Sequence, residues 1–302
     1  MKISMTGATG FIGGHIVRTL AARGHSIRAL ARPTSDVRTL TKVRAEIVKG
    51  DISDDEAIKE LVDGADVVVH NMHCQDAEPS EDPTAYIQAN VCGSFWLLEA
   101  ARRARCSQFI FTSSAAVYGE TFERLPLDER HPTFPKNIYG AYKVCVETMC
   151  MAYHHQFKMN TVCLRPVYVY GIQPVLENSL WADIVDQVLK GEEVKTSRTG
   201  NVVSVETVAD AVALIVGNEA VAGQRYNLAD CYVEWRSIAE LASELLGAEG
   251  HMHRPVKEPT VPNKKARQLG VEFPGITGVV EYVQELIKQM KASPSARPEI
   301  PL

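Results

Sequence analysis

Three side chains in the middle of the sequence have the types and spacing needed to move a proton to or from a hydroxyl group. Tyr139 and Lys143 are four residues apart, so on a helix their side chains share one face. An ammonium beside a phenol stabilises the phenolate, which predicts a Tyr139 pKa lowered from its usual value of about 10. Ser114 follows a short β-rich run and can hold the oxygen that Tyr139 protonates or deprotonates. We therefore take Ser114, Tyr139 and Lys143 as the candidate catalytic residues.

A glycine-rich turn near the N-terminus has the spacing that binds a pyrophosphate. Gly7, Gly10 and Gly13 follow a short apolar run and open a helical pattern. Gly7 permits a tight turn, Gly10 lets the backbone approach the phosphates, and Gly13 lets helix and strand pack closely. The first N–H groups of the helix then face the phosphates. The turn predicts a dinucleotide, with hydride transfer at its nicotinamide accompanying the Tyr139 proton transfer. The predicted contacts are Gly7, Thr9, Gly10, Phe11, Ile12 and Gly13.

The end of the second predicted strand favours NADP as the cofactor. NAD sites usually carry an acidic residue here for the ribose 2′-hydroxyl, whereas arginine suits a 2′-phosphate. The chain has Ala31 followed by Arg32, with Arg28 nearby, which predicts NADP and leaves NAD possible. Asp51, just after the third predicted strand, is placed to accept a hydrogen bond from the adenine amine, to cap a helix, or both.

These residues need a scaffold, and the sequence pattern predicts a doubly wound α/β fold. Through residues 1–171, short β-rich runs alternate with helical patterns, as in the parallel sheet of a Rossmann domain. From 172 to 302 the rhythm is irregular, which predicts a smaller α/β C-terminal domain that binds the substrate as a cap. Part of 200–222 is expected to return to the first domain. The proline-rich end after residue 292 is expected to form a loose tail.

The composition of the 302-residue chain excludes other classes of function. A net charge of −5 argues against a nucleic-acid partner, because phosphate binding needs a basic face. No apolar run approaches the roughly 18 residues of a membrane span, and no basic leader opens the sequence, so we expect a cytoplasmic protein without a membrane anchor. The seven cysteines are scattered, and no Cys/His cluster has the spacing of a metal site. We predict no metal and a small-molecule substrate.

A series of short motifs carries a resemblance to a known family. They are T-G-A-T-G-F-I-G at 6–13, G-D-I at 50–52, V-V-H at 68–70, N-V-C-G at 90–93, T-S-S-A-A-V-Y-G at 112–119, Y-G-A-Y-K at 139–143 and R-P-V-Y-V-Y-G at 165–171. In this order they resemble the extended short-chain dehydrogenase/reductase superfamily, in its NAD(P)-dependent epimerase/dehydratase branch. The resemblance implies Tyr139 as acid/base, Lys143 on the ribose and the tyrosine, and Ser114 on the substrate oxygen. It also implies that Asp51, Ile52, Asn90 and Pro166 line the cofactor site.

The resemblance further implies a homodimer. The predicted helices at 84–105 and 139–157 correspond to the pair that forms an intersubunit four-helix bundle in this superfamily. The second of them carries an apolar stripe that can serve such an interface or an internal core: Cys145, Met149, Cys150 and Tyr153.

The chain departs from the family pattern at positions that narrow the reaction. Ala115 and Ala116 stand where sugar-nucleotide 4,6-dehydratases carry an Asp-Glu pair for the loss of water, which argues against dehydration. Asn178 and Arg198 are the predicted substrate contacts, and Arg198 is slightly displaced from the place where 4-epimerase-like members carry an arginine for the diphosphate. The Asn-Met-His segment at 71–73 is bulkier than the small residues that usually follow the V-V-H strand, so different packing is expected on the nicotinamide side.

Three functions follow from these residues. The first is a redox-neutral epimerase, which oxidises a hydroxyl of a sugar or sugar nucleotide to a keto intermediate and reduces it from the other face. The second is an NADPH-dependent ketone reductase of the dihydroflavonol-reductase-like type, which Arg28 and Arg32 favour. Residues 29–36 resemble both dihydroflavonol-reductase-type and sugar-epimerase-like members, so this segment does not separate the two functions. The third is a sensor or scaffold that has lost its chemistry. The intact set of Ser114, Tyr139 and Lys143 argues against the third.

Overall fold

The computed structural model describes residues 1–74, 82–119, 127–247 and 256–292. Its strands are β1 (Lys2–Thr6), β2 (Ser26–Ala31), β3 (Glu46–Lys49), β4 (Val67–His70), β5 (Gln108–Thr112), β6 (Asn160–Pro166), β7 (Tyr168–Tyr170), β8 (Thr199–Ser204), β9 (Gln224–Leu228), β10 (Cys231–Glu234) and β11 (Val256–Lys257). Its α-helices are α1 (Phe11–Ala22), α2 (Arg38–Lys42), α3 (Asp55–Val62), α4 (Pro83–Ile87), α5 (Gly93–Arg103), α6 (Ile138–Phe157), α7 (Ala182–Leu189), α8 (Val205–Ile215), α9 (Trp235–Leu245), α10 (Lys264–Gln268) and α11 (Ile276–Ala292). The tail predicted after residue 292 lies outside the described residues.

A seven-stranded parallel sheet organises the first part of the chain. Its strand order is β3-β2-β1-β4-β5-β6-β9, and every neighbouring pair is parallel. The Val-Val-Val-His run of β4 and all of β5 are buried, as expected of strands covered on both faces. The predicted doubly wound α/β fold is therefore confirmed. The order reverses between β1 and β4, and ligands of such sheets bind at the carboxyl ends of the strands at this switch point.

The described residues divide into two compact units. The first contains Met1–Val167, Glu206–Leu228 and Val261–Val271, and the second contains Tyr168–Val205, Ala229–Thr260 and Glu272–Leu302. The chain thus enters the second unit just after β6 and returns to the first unit twice. The first return supplies β9, which extends the parallel sheet by pairing with β6.

The second unit has its own sheet and its own core. The strand order is β11-β10-β8-β7, with β7 and β8 parallel and the other pairs antiparallel. Helices α7, α9 and α11 supply buried apolar residues, among them Ile184, Ile238 and Val283, to a cluster that also includes Val202 and Val233 of the sheet.

The helix predicted at 84–105 is interrupted in the structure. It consists of α4, a π-helical turn over Gln88–Cys92, and α5. Asn90 lies in the wide turn, and its side-chain amide donates to the carbonyl of Tyr86 at 3.0 Å. Gly93 begins α5 directly against Ile52, where an added Cβ would lie 2.8 Å from the Ile52 side chain. π-turns of this kind occur often at functional sites.

Among the residues described, no helix has both the length and the apolar character needed to cross a membrane.

Candidate active site

The glycine turn lies at the carboxyl end of β1, where each glycine answers a different requirement. Gly7 has φ +68° and packs directly on the main chain of Asn71 and Met72. A Cβ added at Gly7 would lie 2.7 Å from main-chain atoms of both residues. At Gly13 a Cβ would lie 1.9 Å from the Gly7 carbonyl oxygen. Gly10 differs, because its φ of −81° and ψ of 177° suit any residue and an added Cβ would meet only the Gly7 oxygen, at 3.5 Å. The fold therefore does not require glycine at position 10. The missing side chain instead leaves open space at the surface.

That open space lies at the N-terminus of α1, which fits a phosphate group. The first intrahelical bond runs from the Gly14 N–H to the Gly10 carbonyl at 2.8 Å. The N–H groups of Phe11, Ile12 and Gly13 precede this bond, and α1 has neither a side-chain N-cap nor an acidic residue in its first turn. Thr9 stands half-buried just before the helix. The described residues thus leave this end of α1 positive and uncapped, as a bound pyrophosphate requires.

The structure separates the two arginines that the sequence placed near the ribose. Arg28 is buried in the sheet, where its guanidinium pairs with Glu46 of β3 at 2.8 Å and donates to the carbonyls of Glu60 and Asp63 at 2.7 Å each. Its expected support for a 2′-phosphate is therefore wrong, because Arg28 and Glu46 are direct partners in the strand register. Arg32 is exposed just beyond β2, after the buried Ala31, and remains at the predicted place.

Two residues of the Gly-Asp-Ile motif have different surroundings. Asp51 is exposed, and its carboxylate accepts hydrogen bonds from the N–H and hydroxyl of Ser53 at 3.1 and 3.0 Å. The helix cap is Asp54, which accepts the N–H groups of Glu56 and Ala57 and so takes the alternative role considered for Asp51. The side chain of Ile52 is buried in the core of the first unit.

A buried hydrogen-bond chain connects β1 with the π-turn. His70 lies between the Thr6 hydroxyl at Nδ1 and the Ser94 hydroxyl at Nε2, each at 2.7 Å. Ser94 donates its single hydroxyl hydrogen to the Asn90 carbonyl at 2.5 Å, so it must accept the hydrogen bond from His70. His70 is therefore protonated at Nε2, and its Nδ1 accepts a hydrogen bond from the Thr6 hydroxyl. Burial lowers the pKa of His70 to about 3, with a smaller contribution from the Lys143 charge, and the ring is neutral.

Asn90 and Pro166, both implied by the resemblance, are buried. The Asn90 side chain clamps the main chain of Cys74, accepting its N–H at 2.9 Å and donating to its carbonyl at 3.0 Å. Asn90 therefore acts on the loop that follows β4, rather than presenting its amide to a ligand. Pro166 ends β6, where it pairs with Leu228.

Ser114 and Tyr139 come together at the carboxyl end of β5. Ser114 caps a short 3₁₀ turn, and its hydroxyl oxygen accepts the Ala116 N–H at 3.1 Å, which leaves the hydroxyl hydrogen to donate. Tyr139 lies in the first turn of α6, which begins after the Asn137 side chain caps the Gly140 N–H at 2.7 Å. Burial raises the pKa of Tyr139, and a hydrogen bond with Ser114 lowers it by less.

Lys143 is buried one turn further along α6, and it corrects one expectation. Its ammonium donates to the Thr112 carbonyl at 2.7 Å and lies 5.7 Å from the centre of the Tyr139 ring. Burial lowers the pKa of Lys143 to about 7, although Glu147 and Cys163 act in the opposite direction. The predicted lowering of the Tyr139 pKa is thus wrong for the ligand-free chain, because desolvation outweighs the remote and partly neutral lysine.

The loop after β4 brings His73 to the site, and the sequence analysis did not assign this histidine a role there. The His73 ring packs edge-on against Tyr139 at 5.0 Å and stacks on Tyr142 at 5.5 Å. Its Nε2 is hydrogen-bonded to the Tyr86 hydroxyl at 2.8 Å. The only signal in the sequence was the bulk of residues 71–73 where small residues are usual.

The two predicted substrate contacts belong to the second unit and are exposed there. Asn178 ends a short 3₁₀ helix, and its carbonyl accepts from the Gln173 side chain at 2.5 Å. The Arg198 guanidinium lies over the Trp235 ring, 3.6 Å from its centre. Arg198 is therefore held by a cation–π contact within its own unit.

A switch-point glycine turn together with a serine, tyrosine and lysine at the same sheet edge defines a member of the extended short-chain dehydrogenase/reductase superfamily. A model of the NAD dependent epimerase/dehydratase family matches residues 3–229. The chain belongs to this family.

Curated relatives include sugar-nucleotide epimerases and a dehydratase. UDP-glucose 4-epimerase of Mycolicibacterium smegmatis is 31% identical over 273 residues, which cover 86% of each chain. UDP-glucose 4-epimerase of Lacticaseibacillus casei is 30% identical, and the match covers 58% of this chain and 53% of that protein. The chain thus spans about half the length of several of the curated relatives that it matches. A dTDP-glucose 4,6-dehydratase of Actinoplanes is 29% identical over 57% of this chain and 58% of its own length.

Solved structures show the same fold over nearly the whole chain. UDP-glucose 4-epimerase of Thermotoga maritima, solved with UDP-glucose, has a TM-score of 0.83 at 22% identity, covering 98% of this chain and 100% of that one. The Thermus thermophilus UDP-glucose 4-epimerase, solved with NAD, has a TM-score of 0.78 at 26% identity, covering 97% and 100%.

Proposed function

We propose that the chain is a nicotinamide-dependent 4-epimerase of a sugar nucleotide, working through a keto intermediate. The observation that carries this proposal is the meeting of Ser114 and Tyr139 beside the buried Lys143, at the sheet edge that also holds the uncapped glycine turn. UDP-glucose and UDP-galactose are the first substrates to test, because several relatives are UDP-glucose 4-epimerases.

The proposed roles follow from the donors and acceptors present. The N–H groups that open α1 bind the pyrophosphate, and Gly10 leaves the room for it. When bound, an oxidised nicotinamide supplies a hydride acceptor and a positive charge. Tyr139 takes the hydroxyl proton of the sugar as its carbon is oxidised, and it returns a proton to the oxygen when the other face is reduced. Ser114 donates its remaining hydrogen to the same oxygen.

The raised pKa of Tyr139 gives the resting site a definite state. With its pKa raised above 10 by burial, Tyr139 is a phenol at neutral pH, which is the acid form. Oxidation of a hydroxyl requires the phenolate, and additional positive charge must lower its pKa. Lys143 supplies that charge only when it is protonated. Because its own pKa is about 7, its protonation depends on the pH and on the bound ligand.

Loss of water is the reaction that this site supports least. Ala115 and Ala116 follow Ser114 in the short 3₁₀ turn and carry no acid or base. We therefore propose that the chain does not catalyse dehydration, although a dTDP-glucose 4,6-dehydratase is among its relatives. The second candidate is a net ketone reductase, and the observation that favours it is the exposed Arg32 at the end of β2.

Turnover by a tyrosine variant tests the proposal. Purified protein is given UDP-galactose, and formation of UDP-glucose is followed by chromatography. We expect Tyr139→Phe to fold, to bind nucleotide and to lose at least about 100-fold in kcat, because the proton acceptor is gone. The control is Tyr153→Phe on the same helix, whose hydroxyl bonds Glu99 at 3.0 Å away from the site, and full activity is expected. Equal activity of Tyr139→Phe and wild type would refute the proposed role.

The nucleotide specificity is a separate prediction that rests on Arg32. We propose that its guanidinium binds a 2′-phosphate, so the chain prefers NADP over NAD. Arg32→Ala is expected to weaken NADP binding about 10-fold or more while changing NAD binding little. Arg38→Ala is the matched control, because this exposed arginine pairs with Asp36 at 2.6 Å. Stoichiometric NAD released from denatured wild-type protein would contradict the NADP preference.

The remaining assignments stay predictions. The second unit is proposed to bind the sugar nucleotide, with Asn178 and Arg198 as contacts. A homodimer through α5 and α6 is proposed because Phe95 and Trp96 of α5 are 41% and 37% exposed. A monomer in sedimentation velocity would contradict the dimer. The cytoplasmic location and the absence of a metal and of nucleic-acid partners rest on the sequence.

A further inference from the structure

His73 lies on a loop segment that is fixed at both ends. On one side, the Asn71 N–H donates to the Thr6 carbonyl at 3.2 Å, and the Asn71 main chain packs on Gly7 of the glycine turn. On the other side, the two hydrogen bonds from Asn90 hold the main chain of Cys74. The segment from 71 to 74 is therefore tied both to the glycine turn and to the π-turn, with His73 between the two attachments.

Four rings hold one another where His73 meets α6. His73 contacts Tyr139 edge-on at 5.0 Å and at an angle of 61°, and it stacks on Tyr142 at 5.5 Å and 21°. Tyr142 is in turn edge-on to Tyr139 at 5.5 Å and to Tyr86 at 5.8 Å. Tyr86 and Tyr142 are buried, so the rings behind His73 are closely packed. Each such aromatic pair favours one relative orientation.

We propose that His73 is a positioning residue for Tyr139, which fixes the phenol ring by packing against it and thereby aims its hydroxyl at the substrate oxygen. The proposal deepens the epimerase assignment and rests on it for the identity of the substrate. His73 links the glycine turn, through Asn71, with the acid/base on α6.

The surroundings of His73 favour this role over proton transfer. Burial lowers its pKa to about 4, with a further contribution from the Lys143 charge, so the ring is neutral at pH 7. Its contact with Tyr139 is between ring faces and edges, and its Nε2 is engaged with the Tyr86 hydroxyl. The ring thus contributes by packing, and the hydrogen bond between its Nε2 and the Tyr86 hydroxyl sets its rotation.

Steady-state kinetics of His73 variants test the proposal. His73→Ala is expected to lower kcat by about 10-fold to 100-fold, because small misplacements of a catalytic group are costly, while KM and nucleotide content change less than about 3-fold. His73→Phe keeps a packing ring and is expected to restore kcat to within about 5-fold of wild type. A kcat of His73→Ala within 2-fold of wild type, roughly the error of such comparisons, overturns the proposal. A Phe variant as slow as the Ala variant also overturns it.

The matched control is His154→Ala. His154 is a half-buried histidine of α6 whose Nδ1 bonds the Met159 carbonyl at 3.0 Å. Its removal is expected to lower the melting temperature and leave kcat unchanged.

A second readout works without any substrate. The ionisation of Tyr139 is followed by ultraviolet difference titration of each protein against its Tyr139→Phe counterpart. Among the described residues, the titratable groups that face this phenol are Lys143 and Tyr142 from α6 and His73 from the β4 loop, and the Ser114 hydroxyl at the end of β5 is hydrogen-bonded to it. Loss of the His73 ring admits water, so the pKa of Tyr139 is expected to fall; an unchanged value overturns the proposal. If wild type fails to interconvert UDP-sugars, the epimerase assignment fails, whereas this titration still decides the role of His73.

Discussion

At the scale of single side chains, Lys143 is a residue whose protonation at neutral pH depends on the fold. Its ammonium has one carbonyl partner, at Thr112, and is otherwise enclosed by the rings of Phe111 and Tyr142, each 4.8 Å from Nζ. Cation–π contacts of this kind offset only part of the cost of removing a charge from water. A ligand hydroxyl that accepts from Nζ would return the lysine to its charged form. Binding of a ribose and charging of Lys143 are therefore expected to be coupled.

This state of Lys143 predicts a pH dependence of stability. Its pKa falls from 10.5 in the unfolded chain to about 7 in the fold, so between these values the unfolded chain binds more protons. Stability gained through this group therefore rises with pH across that window, by at most about 1.4 kcal/mol per pH unit. Urea unfolding of wild type and Lys143→Met from pH 7 to 10 measures it. As the pH rises, the free energy of unfolding of wild type should increase relative to that of Lys143→Met. A difference that stays constant with pH would contradict the assignment.

Side-chain roles that depend on local spacing were predictable, and those that depend on the strand register were not. Tyr139 and Lys143 share a helix face because they are four residues apart, which any reader of the sequence can count. Arg28 was misjudged because its partner, Glu46, becomes its neighbour only when β2 and β3 pair. The direction of the Tyr139 pKa was likewise wrong, since the degree of burial comes from segments distant in sequence.

At the scale of elements, the glycine turn makes a prediction with an internal control. Gly13→Ala should prevent correct packing of α1 and abolish nucleotide binding, since its Cβ would lie 1.9 Å from the Gly7 oxygen. Gly14→Ala, one residue later, meets only atoms at 3.6 Å or beyond and should stabilise α1 by up to about 1 kcal/mol. Gly10→Ala should fold normally and bind nucleotide weakly. Thermal melts and nucleotide titrations check all three, and tight binding by the Gly13 variant would contradict the turn's assigned role.

Elements with strong apolar runs were predicted, and those without them were missed. The buried runs of β4 and β5 indicate parallel strands from sequence alone. Strand β9 reads Gln-Arg-Tyr-Asn-Leu, with its first two residues only partly buried, as suits the edge of a sheet. The π-turn was not predicted, because the bonds that join its Asn90 to the main chain of Cys74 form between segments 16 residues apart.

At the scale of the whole molecule, one unit carries every feature assigned to cofactor and proton transfer. The glycine turn, Ser114, Tyr139, Lys143 and His73 all lie in the unit that contains Met1–Val167. The family match over residues 3–229 covers this unit's sheet. The proposed substrate contacts, Asn178 and Arg198, belong to the other unit. Substrate specificity is thus expected to follow changes in the second unit without loss of nucleotide binding.

The most direct test of the account follows the hydrogen that an epimerase removes and returns. UDP-galactose carrying deuterium at C4 is incubated with purified protein and no added nucleotide, and the product is examined by mass spectrometry and NMR. The account predicts UDP-glucose that keeps its deuterium at C4, because hydride leaves and returns within one active site. Turnover that needs stoichiometric NADPH, or product that has lost the label, would contradict epimerisation and favour a net reductase.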